Sequence, residues 1–408
     1  MILNRLLFLI SLMLLSSGLF AAAPSTQASG TTFTTRNSNS LSVGWTRGNG
    51  GRCLVAVKLG TSTTTPPPST VPNASQTPFS ASTVFGSGSN LGNGNYVVYQ
   101  GTGTSVTITG LNPSTSYTVI VYEYNSTWQP LLGLYYNEYN TSYGVANLEG
   151  VYTLCTEPTT NATNLQFSAI NYTSAGIAFT PGNGSNTLVS LEGAADGYQY
   201  ASPVDGTSYT ASTTYGSGSL LTGDNRVVYN GTGTSFTVTN LQPAQTYRVR
   251  AFEFCGSGTG ATWNYRVTGY TYADFTTLNN PPTLNTISNR TICQNAGQQS
   301  VSLSGISDGS SAETQTVTIT ATSSNQTLIP NGNISVSYTN PNSTGTLFFT
   351  AATGQSGTAT ITVTANDGFS ATNTLVRTFT VTVNPIPAAA GAITGDRKST
   401  RLNSSHLV

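Results

Sequence analysis

The chain has a single histidine and few charged side chains. Only His406 is a histidine among 408 residues, and Asp, Glu, Lys and Arg together make up 7% of the sequence. His406 lies in a C-terminal segment unlike the rest, so the body of the chain can form neither a Ser-His-Asp nor a Cys-His catalytic set. A zinc site that needs histidine is excluded for the same reason. The sequence therefore predicts a protein that is not an enzyme.

Basic residues are also scarce. Four of the 14 Lys and Arg residues and one of the 14 Asp and Glu residues lie in the terminal segments 1–23 and 396–408. This leaves ten basic and thirteen acidic side chains, a net charge of about −3 for the body of the chain. A nucleic-acid-binding protein needs a basic surface to neutralise phosphates. We therefore expect no nucleic-acid partner.

The four cysteines lack metal-binding spacing, since no Cys-x-x-Cys pair occurs. Cys53 and Cys155 fall within one predicted domain and could form a disulfide, which sequence alone does not decide. Cys255 and Cys293 fall in different predicted domains, and we predict buried free thiols for both.

Long apolar runs are absent after the N-terminus. Leu6–Leu15 is almost entirely apolar, follows the basic Arg5 and precedes an A-x-A pattern at Ala21–Ala23. The run is shorter than the ~20 residues of a membrane-spanning helix and is typical of a cleaved secretory signal. We expect residues 1–23 to be a signal peptide. The mature protein would be secreted or held at the cell surface, without a membrane span.

The segment 396–408 differs from everything before it, because it holds three basic residues and the histidine. It resembles a translated sequencing adapter of the kind found at the ends of metagenomic gene predictions, and on that interpretation it is an artefactual tail. The protein would then be a fragment of a larger exported one. The alternative is a natural basic tail that contacts nucleic acid or membrane.

A long internal repeat organises the body of the chain. The stretch Tyr99–Tyr117 returns as Tyr229–Tyr247, and the segment around Trp45 returns around Phe179. A repeat of this length indicates tandem domains. Segments such as Leu41–Trp45 alternate apolar and polar residues between glycine-rich turns, and no helical period follows the signal segment. The sequence therefore predicts an all-β fold.

A Leu-x-Pro-x-x-x-Tyr motif occurs once in each copy of the repeat. It resembles the E–F corner of fibronectin type III domains, where the leucine fills the core, the proline shapes the turn and the tyrosine hydroxyl bonds to backbone. Trp45, with Phe179 as its counterpart, stands where such domains place a core aromatic. The resemblance implies two immunoglobulin-like β-sandwiches, residues 24–156 and 157–279. The motif residues are Leu111, Pro113, Tyr117, Leu241, Pro243 and Tyr247.

The pattern changes at Asn280, where short alternating strands predict a third sandwich over residues 280–385. Its segments Ser304–Gly309 and Thr364–Gly368 resemble cadherin-like and bacterial immunoglobulin-like repeats of exported adhesins. Residues 386–395 resemble the start of a further immunoglobulin-like or PKD-type module.

Asp and Glu side chains are the remaining candidates for a catalytic or metal-binding site. Glu123 and Glu253 end the predicted F strands of the two copies, and without a base or nucleophile nearby we predict a structural role for both. We expect no cofactor; calcium is the better metal candidate, because four residues of the third domain could supply oxygen ligands near one of its ends. Ordinary Asp-Gly turns explain the same residues, and we favour turns. The four residues are Asp308, Glu313, Asn366 and Asp367.

Aromatic residues crowd two stretches after the predicted F strands. Exposed aromatics there could stack on sugar rings or anchor a protein partner. Packing between neighbouring strands explains them equally well, and we favour packing. The candidate loop residues are Trp128, Tyr135, Tyr136, Trp263 and Tyr265.

These observations predict a secreted or cell-surface modular protein whose domains act as spacer and adhesion surface. The partner would be an unknown protein or carbohydrate at the cell surface. One alternative is a set of accessory modules of a secreted hydrolase or nuclease whose catalytic domain is missing. Another is a carbohydrate-binding module that uses the aromatic loops.

Overall fold

The computed structural model describes residues 22–388, except 62–63, 131, 143, 145–146, 195–196, 257 and 259. The expected signal peptide, up to residue 21, and the C-terminal segment from residue 389 lie outside the described residues. Within them the predicted all-β fold is confirmed: they form 25 strands, and a 3-10 turn at Asn331–Asn333 is their only helix. The described residues thus contain no helix long and apolar enough to cross a membrane.

The first copy of the repeat folds as two antiparallel sheets. The smaller sheet contains, in this order, β1 (Ser29–Arg36), β2 (Leu41–Thr46) and β6 (Ser105–Ile108). The larger sheet contains β3 (Arg52–Leu59), β4 (Thr70–Asn73), β5 (Asn95–Gly101), β7 (Ser116–Gln129), β8 (Leu134–Tyr139) and β9 (Leu148–Tyr152). Its order is β4-β8-β7-β3-β5, and β9 pairs with the first half of β7.

The second copy repeats this arrangement. Its smaller sheet contains, in this order, β10 (Thr163–Ser168), β11 (Ser174–Thr180) and β15 (Ser235–Thr239). Its larger sheet contains β12 (Asn186–Gly193), β13 (Leu220–Thr222), β14 (Asn225–Gly231), β16 (Thr246–Cys255), β17 (Asn264–Tyr265) and β18 (Thr271–Thr276). The order is β13-β14-β12-β16-β17, and β18 also pairs with β16.

A core of apolar side chains lies between the two sheets of each copy. In β2 the side chains of Leu41, Val43 and Trp45 are buried and alternate with more exposed residues, as expected for a strand with one face on a core. Ile177 and Phe179 of β11 do the same in the second copy. Each copy is therefore a β-sandwich.

The larger sheets are covered on their outer faces as well. The sequence predicts half-buried strands throughout, but β3 buries every residue from Cys53 to Val57, and β7 and β12 have similar buried runs. Strands buried on both faces are apolar almost continuously. The cover comes from the extra length of each copy, Thr61–Gly94 and Gly193–Gly223, which packs onto a second apolar cluster outside the sheet.

The described residues up to 276, apart from two turns at 171–173 and 242–244, form one compact unit. The second unit contains those turns and the described residues from 277 on. Its strands enclose one apolar core. One sheet contains β19 (Arg290–Cys293), β21 (Thr318–Ser323), β24 (Gly357–Asn366) and β25 (Thr374–Asn384), in the order β19-β25-β24-β21. The other contains β20 (Gln299–Ser304), β22 (Ile334–Ser337) and β23 (Thr344–Phe349), in the order β20-β23-β22.

Candidate functional site

The motif tyrosines lie in the inner cores. The Tyr117 hydroxyl accepts a hydrogen bond of 2.9 Å from the backbone N–H of Asn112, which holds the turn before β7 in place. Leu111 and Tyr117 are buried, and so are their counterparts Leu241 and Tyr247. Pro113 and Pro243 lie in the turns between these pairs.

Trp45 on β2 and Phe179 on β11, the equivalent core aromatic residues of the two copies, have equivalent surroundings. Trp45 packs against Tyr99, with ring centroids 5.6 Å apart, and Phe179 packs against Tyr229 at 5.7 Å. Both Trp45 and Phe179 are buried. The buried rings of Trp45 and Phe179 therefore belong to the sandwich core.

The equivalent carboxylates Glu123 and Glu253 are fully buried and hold a loop of their own copy. Glu123 accepts hydrogen bonds of 2.7 and 2.8 Å from the guanidinium of Arg47 and one of 3.0 Å from Gly48 N–H. Glu253 accepts from Gly184 N–H at 3.0 Å and from the hydroxyl of Thr187 at 2.7 Å. Among the described residues no basic side chain pairs with Glu253. The hydrogen bonds explain both residues as structural anchors.

The cysteines pair differently from the sequence expectation. Cys155 forms a disulfide with Cys255, across 100 residues, so the suggested Cys53–Cys155 pair is wrong. Cys53 is buried in the first copy, where burial raises the pKa of its thiol to about 11. The expectation of buried free thiols is also wrong for Cys255, which forms the disulfide, and for Cys293, which is free but exposed. The disulfide forms because the end of β16, at Cys255, lies next to the segment that follows β9 and contains Cys155. The spacing of the cysteines along the chain does not reveal this proximity.

Polar contacts accompany this disulfide. The Cys155 N–H donates to the carbonyl of Thr262 at 2.8 Å, and the Asn264 amide donates to the carbonyl of Cys155 at 2.8 Å. On the first copy, the Arg36 guanidinium donates to the carbonyl oxygens of Tyr152 and Ala261. The segment that joins the two copies is thus bonded on both sides.

The predicted ligand loops divide between the two copies. In the first, Trp128 is 45% exposed and packs against Tyr135 across β7 and β8 with ring centroids 4.8 Å apart, while Tyr136 is half-buried on β8. In the second, Tyr265 is buried and donates its hydroxyl hydrogen to the carbonyl of Thr207, and Trp263 packs onto the outer core. The second pair therefore packs the protein interior, and only the first offers exposed aromatic surface.

The calcium candidates are engaged by protein donors. Asp367 accepts from the Asn279 amide and from Phe369 N–H, and Glu313 accepts from Asn280 N–H. Asn366 accepts from Gly368 N–H. Burial raises the pKa of Glu313, and the charge of the half-buried Asp308 raises it further. In the described part of the chain no group of three or more His, Cys, Asp or Glu side chains could hold a metal ion. These hydrogen bonds favour the turn interpretation.

An exposed aromatic surface lies elsewhere, on the outer face of the larger sheet of the second copy. The ring centroids of Tyr200 and Tyr270 are 6.0 Å apart, and those of Tyr270 and Tyr272 are 6.4 Å apart. The guanidinium carbon of Arg248 lies 3.8 Å from the ring centre of Tyr198 and 4.7 Å from that of Tyr272. We call these four tyrosines, with Arg248 and Asp274, the tyrosine strip.

Two ion pairs balance the positive and negative charges at the tyrosine strip. Asp274 accepts hydrogen bonds of 2.8 and 2.9 Å from Nε and Nη2 of Arg248, which raises the pKa of Arg248 and keeps it charged. Beneath them Glu192 and Arg250 form a buried pair at 2.6 Å. Each pair is neutral as a whole, so the strip has no net charge from these four residues.

At the equivalent positions, the described residues of the first copy have no such surface. Thr118 takes the place of Arg248, since each follows the corner tyrosine, and Gly150 is paired with Thr118 as Asp274 is with Arg248. Leu148 takes the place of Tyr272. Sequence reasoning missed the strip, although a comparison of the two copies at these positions would have pointed to it.

No protein-family model matches the chain, and no curated protein matches it either. Three solved structures that are similar to it are all β-sandwich proteins. A segment of two fibronectin type III domains from chicken tenascin is 14% identical over 61% of this chain and 99% of its own length, with a TM-score of 0.23. The central fibronectin III array of RIM-binding protein is 14% identical over 70% and 81%, with a TM-score of 0.18. A computer-redesigned β-sandwich protein is 21% identical over 29% and 91%, with a TM-score of 0.20. The sandwich architecture itself rests on the strand order and cores described above.

Proposed function

We propose that the protein is an exported, non-catalytic modular protein whose domains, 24–156, 157–279 and 280–385, act as a spacer and an interaction surface at or outside the cell surface. The disulfide between Cys155 and Cys255 is the main support for this proposal. Disulfides persist in oxidising compartments outside the cytosol, which agrees with the signal-like N-terminal segment.

The same bond supports the spacer role. It joins the end of the first sandwich to strand β16 of the second, and the Cys155–Thr262 and Asn264–Cys155 hydrogen bonds lie beside it. A spacer transmits position only if its joints resist bending, and a joint bonded in this way is stiffer than a short flexible linker. The engaged carboxylates Glu123 and Glu253 support a non-catalytic role for these two domains.

Export is tested by expressing the chain in a bacterial host with and without residues 1–23. We expect the full chain to leave the cytoplasm and its mature form to begin at Pro24, as read by mass spectrometry of the intact protein. The version without residues 1–23 should remain in the cytoplasm. A full chain that stays in the cytoplasm with its N-terminus uncleaved would contradict the proposal.

The accessory-module alternative is tested on the gene. A longer natural reading frame that encodes a hydrolase or nuclease domain after Gly395 would favour it over a structural and adhesive role. A natural frame with only further β-sandwich or anchoring segments would support our proposal.

A further inference from the structure

We infer that the tyrosine strip of the second copy is a binding site for a neutral carbohydrate chain. This inference rests on the proposed function, because it assigns a ligand class to one of the interaction surfaces of a modular protein. Four features of the strip lead to it: its exposed rings, its free polar atoms, its charge balance and its restriction to one copy.

Two of the four rings of the strip are exposed although they lie beside an apolar cluster, and the rings of Tyr198 and Tyr270 are half-buried. Tyr272 is 57% exposed and Tyr200 is 69% exposed, while Tyr270 packs onto Phe252 of the outer core at 4.9 Å. An aromatic side chain supplies a large apolar face together with a hydroxyl group. A pyranose ring has the complementary form, with C–H bonds on its faces and hydroxyl groups around its rim. Successive sugar rings of a chain can therefore lie along successive tyrosines.

Polar atoms at the strip are oriented but free. Asp274 holds the Arg248 guanidinium through Nε and Nη2, and Nη1 makes no hydrogen bond with any described residue. The same is true of the hydroxyl groups of Tyr200, Tyr270 and Tyr272 within the part of the chain that the structure describes. A charged planar group such as the guanidinium forms stronger and more directional hydrogen bonds than a neutral group does. Nη1 of Arg248 and the three tyrosine hydroxyl groups can therefore bond to sugar hydroxyls without first breaking a contact.

The charge balance selects a neutral ligand. Arg248 is neutralised by Asp274, and Arg250 by Glu192. An anionic polysaccharide or an acidic peptide would find no unpaired cation among these residues, and a basic peptide would find no unpaired carboxylate. A neutral glycan needs neither.

The two copies provide an internal comparison. They share corner, core and loop anchors, so a feature required for folding should occur in both. Thr118, Gly150 and Leu148 of the first copy replace Arg248, Asp274 and Tyr272, and the first copy folds without them. The strip is therefore an addition to one copy, as expected for a binding surface.

The test uses the full chain on an array of neutral and acidic oligosaccharides, followed by calorimetric titration with the best neutral oligosaccharide. We expect binding to at least one neutral glycan. Tyr272→Ala and Tyr200→Ala should each weaken it about tenfold through the loss of a stacking face. Tyr272→Phe should weaken it less, because it keeps the ring. The matched control is Tyr152→Ala, since Tyr152 is 44% exposed on β9, the strand of the first copy that corresponds to β18.

Binding to acidic glycans alone, or to no neutral glycan on the array, would overturn the inference. Equal affinities for Tyr272→Ala, Tyr200→Ala and the unmodified chain would also overturn it. Circular dichroism and thermal unfolding of each variant show that the fold is retained, which is expected for exposed side chains. Failure of this test is separate from failure of the proposed function: an exported protein without glycan binding contradicts only the inference, and a glycan-binding protein that stays in the cytoplasm contradicts only the proposed function.

Discussion

The side-chain amide of Asn264 donates a hydrogen bond of 2.8 Å to the carbonyl oxygen of Cys155. Asn264 lies on β17 of the second copy, and Cys155 ends the first, so this bond crosses from one sandwich to the other. The N–H of Cys155 donates to Thr262, and its sulfur is bonded to Cys255. The joint is thus closed by backbone, side-chain and covalent contacts within a few residues of one another.

We expect the joint disulfide to contribute to stability. Cys255→Ser should lower the free energy of unfolding by about 2–4 kcal/mol, because the bond restricts a 100-residue loop of the unfolded chain. Urea unfolding of the full chain measures this. The control is Cys293→Ser, which removes an exposed free thiol and should change little. Equal midpoints for both variants would mean that the bond does not form.

Tyr117, the corner tyrosine of the first copy, should contribute one buried hydrogen bond to the stability of the protein. Tyr117→Phe keeps the ring and leaves Asn112 N–H without its partner, so we expect a loss of about 1–3 kcal/mol. Thermal unfolding provides the measurement. Tyr152→Phe, at an exposed tyrosine of the same sandwich, should be neutral. Similar shifts in unfolding temperature for the two variants would show that the Tyr117 hydroxyl does not form the corner hydrogen bond.

The two buried glutamates should respond differently to the same change. Glu123→Gln leaves Arg47 without its carboxylate, and we expect a cost of about 1–3 kcal/mol. Glu253→Gln removes a buried charge that no basic side chain among the described residues balances, so its cost should be smaller or reversed. Denaturation curves of the two variants measure both losses of unfolding free energy. A larger loss for Glu253→Gln than for Glu123→Gln would contradict this explanation.

The all-β fold and the duplication could be predicted from sequence because each depends on local pattern. Alternation marks β2 directly, and the stretch Tyr99–Tyr117 returns as Tyr229–Tyr247. The outer cores, the Cys155–Cys255 bond and the tyrosine strip could not be predicted in this way. They depend on which strands become neighbours and on which sheet face a long insertion covers. The continuous apolar runs of β3 and β7 were the local signs that their sheet has two covered faces.

Glu313 of the second unit should make stability depend on pH. Burial, followed by the charges of Asp308 and Asp367, raises its pKa in the folded protein. The stability that protonated Glu313 contributes is therefore present below the ordinary glutamate pKa of ~4.3 and is lost as the pH rises through the raised value. Glu313→Gln cannot ionise and keeps an acceptor for Asn280 N–H.

We expect Glu313→Gln to unfold at a higher temperature than the unmodified chain at pH 7, and the difference to disappear near pH 4. Thermal unfolding of the full chain at the two values measures it. Glu149→Gln, at an exposed glutamate of the first copy, is the control. A difference of equal size at both pH values would show that Glu313 does not titrate as described.

Peptide mapping without reducing agent, on the protein expressed with residues 1–23, tests the central claim most directly, because a disulfide-closed joint between two sandwiches supports both the proposed export and the proposed spacer role. After alkylation of free thiols under denaturing conditions and digestion, we expect one cross-linked peptide pair that contains Cys155 and Cys255. Cys53 and Cys293 should carry the alkyl label. A Cys53–Cys155 peptide, or four labelled cysteines, would contradict the account.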